Sequence, residues 1–141
     1  MVVDFGCGGG IDVILAAHRV GEQGRVIGID SAPQMIERAR QAVAEARLPD
    51  EKITLRVAAM EQSPLPDSFA DVVISNCVIN LCPDKDAVYE EAFRILRPGG
   101  RIAISDIVLT AHIDPELHER FRSTWAGCLG GGFSKRITGR Q

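Results

Sequence analysis

Two periodicities of apolar residues alternate along this chain. Short, nearly continuous apolar runs recur between longer segments whose apolar residues return every three or four positions. The first run, Met1 to Phe5, predicts a short buried strand. Val13, Ala16, Ala17 and Val20 then share one face of a predicted helix over Asp12 to Val20, and Gly21 and Gly24 mark the turn after it. Arg25 to Asp30 predicts a second strand, with Val26, Ile27 and Ile29 apolar. Ser31 is placed to cap the next helix and Pro33 suits its first turn. Met35, Ile36, Ala39, Val43 and Ala46 carry that helix to about Arg47, and Pro49 ends it.

Lys52 to Val57 predicts a third strand and Ser63 to Ser68 a proline-containing loop. Asp71 to Ser75 predicts a fourth strand, whose Val72, Val73 and Ile74 call for burial on both faces. A helix over Asp86 to Leu96 turns Val88, Ala92, Ile95 and Leu96 inward, which leaves Glu90, Glu91, Arg94 and Arg97 as a solvated face. Pro98-Gly99-Gly100 stops it, Arg101 to Asp106 predicts a fifth strand, and Asp114 and Pro115 open a last helix reaching about Ala126. This order predicts an α/β fold with a mostly parallel sheet and helices on both faces.

A length of 141 residues fits one domain, and 45% hydrophobic with 25% charged residues is a globular balance with material for a core. The net charge of -3 gives no basic footprint for nucleic acid. No run of about 18 apolar residues is present to span a membrane, and no basic leader with an apolar stretch marks secretion. The four cysteines, Cys7, Cys77, Cys82 and Cys128, therefore point to a reducing, cytoplasmic setting rather than a disulfide framework. None has the spacing of a structural metal site, so no metal is expected. The first strand begins almost at residue 1 and the chain stops soon after its last helix, which predicts a partial domain over residues 1–133, truncated at both ends, and a disordered tail over 134–141.

Candidate chemistry begins at Val3-Asp4-Phe5-Gly6-Cys7-Gly8-Gly9-Gly10, on a strand-to-helix junction where glycines allow a tight turn and close approach of a ligand. Its G-x-G-x-G spacing, through Gly6, Gly8 and Gly10, differs from the G-x-G-x-x-G of dinucleotide sites. Asp30 closes the second strand 20 residues after Gly10, where a carboxylate accepts ribose hydroxyls. Asp4 can face a ligand ammonium. Met60 and Glu61 follow the third strand, where an adenine ring lies in such folds, and Asn76 closes the fourth strand beside the reacting centre. A ribose, an amino group and a positive sulfonium match this set, so the cofactor it predicts is S-adenosylmethionine. The competing readings are a nicotinamide cofactor, which the glycine spacing disfavours, and plain turn glycines with strand-end acids.

The run SNCVINLCPDKDAVYEEAFRILRPGGRIAISDIV, from Ser75 to Val108, and WAGCLGGGF, from Trp125 to Phe133, resemble the arsenite methyltransferases. The resemblance covers nearly the whole chain to about Phe133, with SNCVINL and GCLGG its specific parts. It implies a Rossmann-like methyltransferase core that moves a methyl group from S-adenosylmethionine to trivalent arsenic. It also implies that Cys77 and Cys128 hold the arsenic as thiolates, and that a thiol reductant such as glutathione or thioredoxin completes the cycle. Cys7 matches none of that family's cysteines, and Cys82 stands where the family often has another residue. Two alternatives remain: a C- or O-methyltransferase of a small molecule such as a quinone or sterol, and a non-catalytic fragment. The Ser-Asn-Cys-Val turn lacks the Asn/Asp-Pro-Pro-aromatic pattern of amino-methylating DNA enzymes.

Overall fold

A computed structural model describes residues 1–109 and 133–134. Five strands form one parallel sheet: β1 (Val2–Phe5), β2 (Val26–Asp30), β3 (Ile53–Val57), β4 (Ala70–Asn76) and β5 (Leu96–Ser105), in the order β3-β2-β1-β4-β5. Three helices connect them: α1 (Ile11–Arg19), α2 (Pro33–Glu45) and α3 (Lys85–Ile95). Two short strands, β6 (Val108–Leu109) and β7 (Phe133–Ser134), pair with each other in a separate parallel ladder. The predicted last helix, Asp114 to about Ala126, and Cys128 beyond it lie outside the described residues. Among the described residues no helix is long and apolar enough to cross a membrane.

The period-2 alternation of the strands divides the apolar residues between two cores, one on each sheet face. Val3, Phe5, Ile27, Ile29 and Val73 pack with Val88, Ala92 and Ile95 of α3. Val2 and Val26 pack on the other face with Val13 and Ala17 of α1 and Ile36 of α2, joined by the half-buried Val72 and Ile74. The expectation of burial on both faces of β4 thus holds, with Val73 on one side and Val72 and Ile74 on the other. Helices on both faces follow from that division.

Three local expectations change. Ser31 does not cap α2; the carboxylate of Asp30 accepts from the Ala32 amide at 2.8 Å, and Pro33 opens the helix. β5 begins at Leu96, directly after α3: Leu96 pairs with Ala70, Arg101 pairs with Val72, and residues 97–100 bulge out between them. The face of α3 read as solvated is also partly buried. Glu91 is 8% exposed and accepts from the amide and hydroxyl of Ser63 and from the Arg94 guanidinium. Arg94 also donates to Asp67 and to the carbonyl of Leu65, so this pair pins the loop before β4. A helical wheel shows neither partner, because both come from a loop 27 or more positions away in sequence.

Candidate active site

The carboxyl ends of β1, β2 and β4 meet along one edge of the sheet, where parallel α/β folds bind ligands. A cavity of about 610 Å³ opens there, lined among others by Gly6, Gly8, Asp30, Met60, Glu61 and Cys77. Asn76 lines it too. Five of the six glycine-loop and strand-end positions that the sequence nominates therefore converge, counting Asp4 in the adjoining cavity described below; Gly10 does not line either.

Gly10 serves the loop in another way. It caps α1 with φ +86, and a Cβ there would stand 3.0 Å from the Cβ of Ala39 on α2. Its lack of a side chain lets α2 pack on the start of α1. Gly6 is more constrained: φ is +71, and an added Cβ would lie 2.5 Å from both methyls of Val78. Val78 follows Cys77, so the glycine loop and the cysteine turn interlock through this contact. Gly8 has φ +49 and open space where a Cβ would stand, and its amide donates to Asp30 Oδ2 at 2.9 Å. Asp30 thereby ties β2 to the glycine loop and to α2 through its two oxygens. Each of those oxygens keeps a lone pair for a ligand hydroxyl.

Asp4 is 2% exposed, and its Oδ2 has no hydrogen-bond partner. Burial, then repulsion from Asp12 and Asp30, pushes its carboxyl up to about 8. It lines a second cavity of about 360 Å³ together with Asp12, Ser75, Asn76 and Ser105. A buried acid in that condition lacks a cation, and a ligand ammonium would supply one. The residues present therefore fit a ligand that carries an amino group at the sheet edge and a ribose at Asp30. Met60 is 7% exposed; it belongs to the core around α3 and also presents to the cavity.

Cys77 is exposed at the cavity rim, at the end of β4. Its φ is +55, a left-handed conformation that costs a non-glycine residue about 1–2 kcal/mol. Its amide donates to the carbonyl of Ser105 on β5 at 2.7 Å. The other thiols differ in kind. Cys7 is buried in the α1–α2 core, and burial, with Asp4 and Asp30 beside it, pushes its thiol up to about 12. Cys82 lines the cavity but is 9% exposed, and burial, with a hydrogen bond to Glu61 and its charge, pushes its thiol up to about 11. Both are poor thiolates at neutral pH.

Sequence reasoning passed over Asp12, Asn80 and Asp106. Asp12 stands in the first turn of α1 and accepts from Asn76 Nδ2 at 3.1 Å, joining helix to β4. Asn80 is 3% exposed and donates to Asp106 at 2.6 Å and to the carbonyl of Ile107 at 2.7 Å. Position within SNCVINL and SDIV was the available signal, but the pairing is visible only once β4 and β5 lie side by side.

Comparison with known proteins agrees with this arrangement. A family model described as a methyltransferase domain matches residues 1–138. An arsenite methyltransferase of Halobacterium salinarum is 44% identical over 130 residues, which is 92% of this chain and 32% of that protein. A crystal structure of an arsenic(III) S-adenosylmethionine methyltransferase from Chlamydomonas reinhardtii superimposes with a TM-score of 0.82 at 37% identity, covering 94% of this chain and 46% of that one. An aklanonic acid methyltransferase of a Streptomyces species is 38% identical over 85% of this chain and 54% of its own length. The chain thus spans from about a third to about half of the relatives it matches. The matched family model, a glycine loop at the carboxyl edge of a parallel sheet and an acid closing β2 lead to one assignment: this chain belongs to the methyltransferase domain family.

Proposed function

We propose that this chain is the cofactor-binding core of an S-adenosylmethionine-dependent methyltransferase that methylates trivalent arsenic held on thiolates. The observation that carries this reading is the exposed Cys77 on the rim of the cavity that also holds Gly6, Gly8 and Asp30. The names of the Halobacterium and Chlamydomonas relatives support the same substrate. When bound, S-adenosylmethionine supplies a methyl group on a sulfonium that leaves as a neutral thioether.

Each residue then has a definable task. Asp4 meets the cofactor ammonium and becomes ionised; Asp30 accepts the ribose hydroxyls; Gly6 and Gly8 keep the loop open; Met60, Glu61 and Asn76 line the remaining wall. Cys77, with Cys128 from outside the described residues, holds the arsenic, because a soft thiophilic centre prefers thiolates. Thiol protons leave as arsenic binds, as they do on metal binding. Arsenic attacks through its own lone pair, so no side chain has to accept a proton. Alignment is the protein's main contribution, and alignment alone can supply several kcal/mol. The new As–C bond leaves arsenic oxidised by two electrons, and a thiol reductant such as glutathione or thioredoxin returns them. A cytoplasmic setting, with no role for nucleic acid or membrane, completes the reading.

The second reading is methylation of an organic small molecule, favoured by the likeness to the aklanonic acid methyltransferase. One experiment separates the two. The reduced chain is titrated calorimetrically with S-adenosylmethionine and then arsenite, and the mixture is assayed for methylated arsenic in excess thiol. Binding of both with methylated product supports the first reading. Binding of the cofactor without arsenite moves the assignment to the second, and binding of neither leaves a fragment without function of its own.

A further inference from the structure

The turn that carries Cys77 is held in an unfavourable conformation, and two independent contacts, from the end of β5 and from the residues just past it, hold it there. Cys77 has φ +55, and a left-handed non-glycine residue persists where its surroundings over-determine it. One restraint is the Cys77 amide on the Ser105 carbonyl at 2.7 Å. The other is Asn80, 3% exposed, just beyond Cys77 in the short 3₁₀ turn Ile79–Leu81. Its side-chain amide donates to Asp106 Oδ1 at 2.6 Å and to the Ile107 carbonyl at 2.7 Å, while its backbone amide donates to Asp106 Oδ2 at 3.2 Å. Asp106 Oδ1 also accepts from the Ile107 amide at 2.8 Å. Both Asp106 oxygens accept and the Asn80 side-chain amide nitrogen donates twice, while Asn80 Oδ1 has no partner among the described residues, and the contacts join segments 26 positions apart. A partly buried, charge-assisted cluster of this kind fixes geometry more tightly than an apolar contact.

We propose that Asn80 and Asp106 are positioning residues, which lock the Cys77 turn onto the end of β5 and so set the thiol for arsenic. The inference rests on the reading of Cys77 as an arsenic ligand. The clamp does not touch Asp4, Gly8 or Asp30, so loosening it separates the two halves of the site: thiol geometry relaxes while the cofactor half remains.

The test uses the full chain in three forms: parent, Asn80→Ala and Asp106→Asn. Arsenite and S-adenosylmethionine affinities are measured by calorimetry, and alkylation of Cys77 by iodoacetamide is followed by peptide mass spectrometry. Expected results are arsenite affinity lowered about tenfold or more in both variants, with cofactor affinity within about twofold. The Cys77 alkylation rate changes at least about threefold in the same variants. Parallel loss of both affinities would reduce the clamp to general structural support and overturn the proposal. Unchanged arsenite affinity and unchanged alkylation would overturn it too. Should Asn80→Ala fail to fold, Asp106→Asn decides. A parent chain that binds no arsenite refutes the arsenic reading instead, and alkylation of Cys77 still decides whether the clamp sets the turn.

Discussion

Asp4 shows what burial does to a single carboxyl. Its ordinary value of 3.8 is raised to about 8 by burial, then by repulsion from Asp12 and Asp30. Between those values the folded chain keeps a proton that the unfolded chain has released. The resulting penalty on folding is absent below the lower value, grows through the window and is complete above the upper one. The ligand-free protein should therefore lose stability from about pH 5 to about pH 8, and Asp4→Asn should flatten that decline in a thermal melt. An equally steep decline in the variant would refute the assignment. A bound ammonium reverses the penalty, so cofactor binding near neutral pH should release about one proton, read from calorimetry in buffers of different ionisation enthalpy.

The same scale separates the thiols. Cys77→Ser should abolish tight arsenite binding and leave cofactor affinity within about a factor of two, whereas Cys7→Ala should change stability and leave arsenite binding intact. Arsenite affinity that survives Cys77→Ser would remove this thiol from the site. Gly6→Ala meets two obstacles, the positive φ and the Val78 methyls at 2.5 Å. A loss of about 2–4 kcal/mol in denaturant unfolding is expected, together with weakened cofactor binding.

At the scale of elements, the Glu91–Arg94 pair decides how α3 seats against the loop before β4. Hydrogen bonds from Arg94, with those from Ser63, hold the Glu91 carboxyl below its ordinary value of 4.5. Its contribution to stability is therefore present above that value and lost as pH falls through the lowered one. Glu91→Ala strips a buried partner from Arg94 and two bonds from Ser63, but Arg94 is partly exposed and keeps Asp67, so the cost should be about 2–3 kcal/mol at neutral pH by urea unfolding. A loss under about 1 kcal/mol would restore the solvated face that helical periodicity suggests. That periodicity placed the apolar side of α3 well, since Val88, Ala92 and Ile95 are all buried. It misjudged the polar side because the loop that covers Glu91 is fixed by packing and not by the helix itself. Strand positions were legible for the same reason as the apolar helix faces. The bulge of residues 97–100 was not, since a Pro-Gly-Gly stop looks alike whether a loop or a bulged strand follows.

Across the whole molecule, one sheet separates two cores, and both depend on it. Ile29 is fully buried in the α3-side core and Ile36 in the α1–α2 core. Ile29→Ala and Ile36→Ala should each cost about 2–5 kcal/mol, in a single unfolding transition monitored by both circular dichroism and Tyr89 absorbance. Two separate transitions would mean that the layers fold independently.

The sequence by itself determined the architecture and nominated the candidate site residues. The alternation of periods specified strands, helices and a parallel sheet, and the glycine run with Asp4 and Asp30 marked the carboxyl edge. Those features are local, because periodicity and turn chemistry are written within a few residues of each other. Only the tertiary structure decided what surrounds each group. It placed Gly10 against Ala39, buried Asp4 without a partner, closed Cys82 onto Glu61, and drew Asn80 to Asp106 beside a strained Cys77. Each of those outcomes depends on which distant segments share a surface, and burial and hydrogen bonding follow from that juxtaposition rather than from spacing along the chain.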